Sequence, residues 1–407
     1  MKKTVLREYA KLIAMKGVSV KRGDTVMVYA GLDQPEFVKM VVEECYRGGA
    51  AKVIVDWDYD PLTKIHVRHQ SLKTLSTLDS WQVERLNWRL EKLPSMIYIE
   101  SEDPDGQKGI NQEKYTKAIV ARSKIIKPIR DKMENKYKWC IAAAPGEAWA
   151  KKVFPGLKKG AAIEKLWEAI LFTSRVDSDP VAAWDAHNAD LAARCEHLNS
   201  LGLVSLKYKA SNGTDLKVGL IEDASFMGGG EYTLSGEYYN PNIPSEEVFT
   251  SPKSGEAEGI VYASKPLSYR GELIENFSVR FEGGKVTEVK AERGESLLKE
   301  LISMDEGAAK LGECALVPQK SPIAESGILF WNTLFDENAA CHLALGAGFT
   351  NVLKDYEKYT VEECHKMGIN DSMEHVDFMI GTDDLEIVGT DKNGKTHPIF
   401  KNGNWAF

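Results

Sequence analysis

Residues 25–57 read TVMVYAGLDQPEFVKMVVEECYRGGAAKVIVDW. The run 25–31 is short, apolar and of strand length, and 52–57 is a second such run. Between them, 35–50 reads as a helix. Pro35 falls in its first turn, where a missing N–H costs nothing, and Gly48-Gly49 closes its end. Strand, helix and strand in this order form a βαβ unit, so the two strands are expected to be parallel.

The pattern continues outward. A helical stretch covers roughly 74–93, SMIYIES (95–101) is another strand, and KWCIAAAPGEAWA holds one more short strand ending near Pro145. The first part of the chain is therefore expected to be an α/β domain with an open, mostly parallel sheet. The turn AGLDQPEF after the first strand has neither the GxGxxG of dinucleotide sites nor the Gly-Lys-Ser/Thr of a P-loop. A scaffold, or a surface for substrate contacts, is the better reading. The opening MKKTVLREYAKLIAMKG predicts an amphipathic helix with Val5, Leu6, Tyr9, Ile13 and Ala14 on one side. Arg7, Glu8 and Lys11 interrupt any signal-peptide core, so a cytoplasmic address is expected.

A chain of 407 residues exceeds one typical core and points to two domains. With a net charge of -8 and no basic block, neither nucleic acid nor an anionic membrane is expected as a partner. No apolar run is long enough to span a bilayer. The six cysteines form no CxxC pair and read as free thiols.

The pattern changes near 175–185. Asp179 is a good N-cap and Pro180 a good first helical residue, and Val181, Trp184, Leu191, Cys195 and Leu198 follow at helical spacing. Beyond this helix the period becomes two. SLKYKASNGTDLKVGL alternates on both sides of Asn212-Gly213, and NFSVRFEGGKVTEVKAE does so around Gly283-Gly284; both are hairpin signals. The C-terminal residues add strands around a further Asn-Gly turn. FMGGGEYTLSGEYYNPN precedes no helix with a phosphate-binding lysine and reads as loop or hairpin turns. The expected division is an α/β domain over 1–178 and an α+β, largely antiparallel catalytic domain over 179–407.

Six residues of the second domain lie among apolar or small neighbours: Glu247, Glu313, Glu337, His342, His375 and Asp377. His375 and Asp377 are two apart in an apparent strand and share a face. Asn338 is expected to cap a short helix running toward Gly346, with Glu337 before it and His342 in its early turns. Taken singly, each residue reads as a hydrogen-bonded pair or a solvated carboxylate. Together, buried carboxylates repel one another and protonate unless a cation compensates. Oxygen and imidazole ligands without thiolates suit Zn, Co or Mn in a hydrolytic site. Six ligands exceed what one open zinc needs and suit two metals sharing a carboxylate, which make a water acidic enough to react near neutral pH. Cys314 and Cys341 adjoin this set and read as space-filling buried thiols.

PSEEVFTSP, LGECALVP, NTLFDENAACHLALG and HVDFMIG, in this order between 243 and 381, resemble the motifs of the thermophilic aminopeptidase T and aminopeptidase S family. The βαβ start and RVDSDPVAAWDAH fit the same family. The resemblance implies a dinuclear metallo-aminopeptidase, acting on peptides with a free N-terminus and assembled as a homodimer. It implies two divalent ions per chain, zinc first and Co or Mn as alternatives. The implied ligands are Glu247, Glu313, Glu337, His342, His375 and Asp377. Glu313 is the first choice for the carboxylate that moves the proton; which glutamate bridges and which is the base stays open. The chain departs from the family at one position. Where a tyrosine commonly stands seven residues after the motif histidine, it has Phe349, which donates no hydrogen bond. Tyr356, Tyr359 or the metal alone are the alternatives for that task. The other functions in view are a peptide-binding homologue without turnover, a two-metal phosphoesterase and a plain nucleotide-binding scaffold. No lysine or arginine lies in NTLFDENAACHLALG to hold a phosphate, and the missing glycine motif disfavours a nucleotide.

Overall fold

A computed structural model describes residues 1–177 and 179–407. The chain divides into two compact units, Met1–Asp185 with Gly230–Pro244, and Ala186–Gly229 with Ser245–Phe407.

The first unit is built on four parallel strands, β1 (Thr25–Gly31), β2 (Lys52–Asp58), β3 (Ser95–Glu100) and β4 (Trp139–Ala143), in the order β2-β1-β3-β4. The helix between β1 and β2 is Pro35–Arg47, and Gly49 turns the chain out of it at a φ of 105° that a side chain would strain. The amphipathic N-terminal segment is helix Lys3–Leu12 continued by a π-turn, Ile13–Gly17. Tyr9, Ile13 and Ala14 are fully buried. Val5 and Leu6 are only half-buried.

The expected boundary at 178/179 differs from the observed division in two ways. Helix Pro180–Ser200 does begin where Asp179 caps it, its carboxylate accepting from Ala182 N at 3.1 Å. The division nevertheless falls inside that helix. Residues 230–244 also return to the first unit, because Ile141 N donates to Pro241 O at 2.7 Å and Ile243 N to Ile141 O at 2.9 Å, extending the backbone pairing of β4. The glycine-rich stretch forms a two-stranded hairpin, Glu231–Tyr232 with Tyr238–Tyr239.

The second unit carries a nine-stranded antiparallel sheet that includes the hairpins at Asn212-Gly213 and Gly283-Gly284. A separate four-stranded antiparallel sheet is formed by β5 (Val248–Thr250), β6 (Leu311–Leu316), β7 (His342–Gly346) and β8 (His375–Met379), in the order β8-β7-β6-β5. Every residue of β6 and β7 is buried. The main core of this unit includes Leu206, Tyr208, Val279, Phe281, Leu343 and Phe378.

Candidate metal centre

The small sheet explains how five distant residues, Glu247, Glu313, His342, His375 and Asp377, meet. Glu313 on β6 and Asp377 on β8 are both register partners of Ala344 on β7, one from each side. Directly paired residues share a face. His342 is two residues from Ala344, and His375 two from Asp377, so all four project from the same face. The residues between them are small. Ala344 and Gly346 leave the space their neighbours' longer side chains occupy. Gly346 has a φ of 109°, and a Cβ there would meet Glu374 O at 2.0 Å. Glu247 directly precedes β5.

Glu337 arrives differently, and one expectation is corrected. No helix follows Asn338. A single helical turn, Thr333–Asp336, runs into a tight turn, Glu337–Ala339, and His342 opens a strand. CHLALG is a short apolar run that fits helix and strand alike; pairing on both sides decides for strand. Asn338 is fully buried and acts as a clamp rather than a cap. Its Oδ1 accepts from Glu246 N at 2.7 Å, and its Nδ2 donates to Leu334 O at 2.9 Å and to Glu337 Oε1 at 3.3 Å.

The imidazoles are oriented by backbone carbonyls. His342 Nδ1 lies 3.2 Å from Ala340 O and His375 Nδ1 2.7 Å from Ala347 O. A carbonyl only accepts, so each ring donates from Nδ1 and turns Nε2 to the carboxylates. His342 Nε2 is 3.2 Å from Glu247; His375 Nε2 is 3.1 Å from Glu313 and 3.3 Å from Asp377.

The electrostatics are those of an uncompensated acidic cluster. Burial raises Glu313 to about 7, against the His375 hydrogen bond and with help from Asp377 and Glu247. Burial, reinforced by Asp377 and Glu247, holds Glu337 well above the usual carboxylate range. Burial works to lower His342, yet the Glu247 hydrogen bond and the surrounding carboxylates raise it to about 10. His375 is likewise raised, against its burial, by Asp377 and Glu313. Burial works to raise Asp377, and the His375 charge outweighs it, leaving about 2. Among the described residues, none of the six forms an ion pair with a lysine or arginine.

This set fits a metal. Two triplets, Glu247–Glu313–His342 and Glu313–His375–Asp377, each bring their ligand atoms within 4.8 Å of one another. Asp377 Oδ1 is buried and, although His375 Nε2 lies 3.3 Å away, makes no well-directed hydrogen bond, as a ligand atom would. Cys314 and Cys341 stay outside the ligand set. Both are free and buried, and burial pushes their thiols up to about 12, so neither is a thiolate at neutral pH.

Comparison with known proteins agrees with this chemistry. The pattern of the thermophilic metalloprotease family M29 matches residues 2–405. The chain belongs to this family. Aminopeptidase AmpS of Bacillus subtilis (strain 168) is 40% identical over 404 residues, covering 99% of this chain and 98% of the relative. Aminopeptidase T of Thermus aquaticus is 37% identical over 403 residues, 98% of each chain. The solved structure of wild-type AmpT from Thermus thermophilus superposes with a TM-score of 0.91 at 36% identity, over 100% of both chains. This M29 chain is thus a metallo-aminopeptidase, a hydrolase that requires a divalent metal. No helix among its described residues is long and apolar enough to cross a membrane.

Sequence reasoning did not find two parts of this M29 site. One is the Asn338 clamp. The other is Asp336, a buried carboxylate that accepts from Phe330 N at 2.8 Å and Asn332 N at 3.1 Å and so fixes the loop before Glu337. Burial raises it to about 6 despite those bonds. The Asp336-Glu337-Asn338 run in an apolar stretch is the signal that points to both.

Proposed function

We propose that the chain removes the N-terminal residue from peptides with two divalent ions, zinc first and Co or Mn as alternatives. Glu247, Glu313, Glu337, His342, His375 and Asp377 would hold them. The observation that carries this reading is the shared carboxylate: Glu313 belongs to both triplets, so two ions would have it in common. Bound there, the ions would polarise the scissile carbonyl and make a water acidic enough to react.

The chain's own residues do the rest. Ala340 O and Ala347 O keep Nε2 of His342 and His375 turned inward. Asn338 Nδ2 fixes one oxygen of Glu337. A carboxylate of this set takes the proton from the attacking water and returns it to the leaving amine. Glu313 is the first choice for that task only where one of its oxygens stays free of the ions; where it bridges both, the task falls to Glu337, which lies in neither triplet.

A free α-amine can ligate a metal and an internal amide nitrogen cannot do so well, which supports an exopeptidase. The phosphoesterase alternative lacks, among the described residues, a lysine or arginine paired with the cluster. The silent-homologue alternative rests on Phe349, whose ring lies 5.0 Å from that of His375 and carries no hydroxyl. We further propose a homodimer, and a cytoplasmic address that six buried cysteines outside any disulfide support.

The test is hydrolysis of matched unblocked and N-acetylated aminoacyl substrates, after chelation and after adding back Zn, Co or Mn. Metal-restored cleavage of only the unblocked substrates is expected. Loss of activity that no metal restores, in protein that rebinds two ions, overturns the peptidase reading.

A further inference from the structure

Phe349 is a large apolar side chain left 36% exposed beside a buried, charged centre. Single exposed aromatics are ordinary on protein surfaces. This one differs in how it is held. Its backbone N–H donates to Ser251 Oγ at 2.8 Å, and that hydroxyl also reaches Phe349 O at 3.4 Å. Ser251 itself is fully buried. The preceding residue is pinned as well, Gly348 N donating to Asn370 O at 2.9 Å. One residue earlier, Ala347 O orients His375.

The ring is fixed too. It meets Phe249 edge-on, with centroids 5.3 Å apart, and the His375 ring at 5.0 Å. Phe249 follows Glu247 by two residues, so the ring touches the strand that Glu247 leads into and the strand that carries His375. Backbone, rotamer and two ring contacts are therefore set before any ligand arrives, and part of the ring remains open. A preformed apolar wall beside a few convergent polar groups is the usual form of a small-molecule subsite.

We propose that Phe349 is a specificity-determining residue whose open face receives an apolar side chain on the first residue of the substrate. This rests on the peptidase reading above. A peptide bond held at the carboxylate cluster places its N-terminal side chain within a few ångströms of the bond, which is the scale of the His375–Phe349 separation. An apolar side chain removes ring surface from water and gains by it. Glycine has nothing to place there. A cationic side chain would sit beside the charge of two bound ions, so the apolar class is favoured over the basic one.

The experiment compares leucyl-glycine and glycyl-glycine, with Phe349→Ala and Phe349→Leu beside the wild-type chain, all loaded with zinc to equal content. Phe349→Ala should lower the leucyl-to-glycyl ratio of kcat/KM by about tenfold, the scale for losing apolar contact in a pocket. Phe349→Leu should restore most of it. Isothermal titration with the free amino acids gives a readout independent of turnover: leucine should bind the alanine variant more weakly, and glycine should bind it unchanged. Equal losses on both dipeptides, or an unchanged ratio, would overturn the proposal and leave the ring as packing for His375. If the wild-type chain cleaves neither dipeptide, the peptidase reading has failed, and the leucine-to-glycine binding ratio still decides the role of the ring.

Discussion

Replacing Asn338 by alanine should loosen the metal centre without touching a proposed ligand directly. The side chain makes three hydrogen bonds in a fully buried position, to Glu246 N, Leu334 O and Glu337 Oε1. Two neutral bonds are worth about 1 kcal/mol each, and one to a carboxylate about 1.5–3 kcal/mol. The Glu246 N–H then loses its acceptor inside the protein, and an orphaned buried group costs about 1–3 kcal/mol. These contributions overlap, so a loss of about 3–5 kcal/mol in unfolding free energy is expected. Glu337 also loses the donor that orients it, and the segment leading to Glu247 loses its tether to the Glu337 turn. Loss of an outer support of this kind typically weakens metal binding by about 10–100-fold. Urea unfolding of the metal-free protein measures the first quantity, and zinc competition against a fluorescent chelator measures the second. A stability change under about 1 kcal/mol together with unaltered zinc affinity would refute the clamp.

Four further outcomes follow from the same geometry. Glu313→Gln should abolish binding of both ions, whereas His342→Ala and His375→Ala should each retain one, as counted by plasma emission spectrometry on the folded variants. If Glu337 moves the proton, Glu337→Gln should keep at least one ion while kcat falls by about 10²–10⁴; unchanged kcat would return that task to Glu313. Metal uptake should release protons, because His342 at about 10, the raised His375 and the raised Glu337 carry protons near neutral pH, and Glu313 at about 7 does so in part. About three to four protons per loaded chain are expected, with affinity falling as pH drops from 10 toward 7; calorimetry in buffers of different ionisation enthalpy counts them, and zero release contradicts a ligand set. Phe349→Tyr places a hydroxyl at that position and should raise kcat, by up to about 10²-fold if it reaches the developing oxyanion; a rate unchanged within error would leave that oxygen to the metal, Tyr356 or Tyr359.

The sequence made the first unit legible where a short range of residues decides the outcome. Pro35, Gly48 and Gly49 bound a helix between two apolar runs, and the parallel pair β1–β2 follows from that alone. Hairpins at Asn212-Gly213 and Gly283-Gly284 were legible for the same reason. The return of 230–244 to the first unit was not, because it depends on backbone bonds between Ile141 and residues a hundred positions away. Within the site, the shared face of His375 and Asp377 follows from strand period. Helix and strand are not separable around His342 from sequence, because its neighbours Cys341, Leu343, Ala344 and Leu345 are all apolar and carry no period; its strand exists through its neighbours β6 and β8. The pairing of Glu313 and Asp377 across Ala344 lies in the register of three strands, and no local pattern encodes it.

The central claim is that six residues hold two ions that share Glu313. Crystals of the zinc-loaded chain, measured on both sides of the zinc absorption edge, test it most directly. Two anomalous peaks about 3.5–4 Å apart, with Glu313 between them and His342 and His375 on opposite ions, are the expected result. A single peak, or two peaks with Glu313 bound to neither, would contradict it.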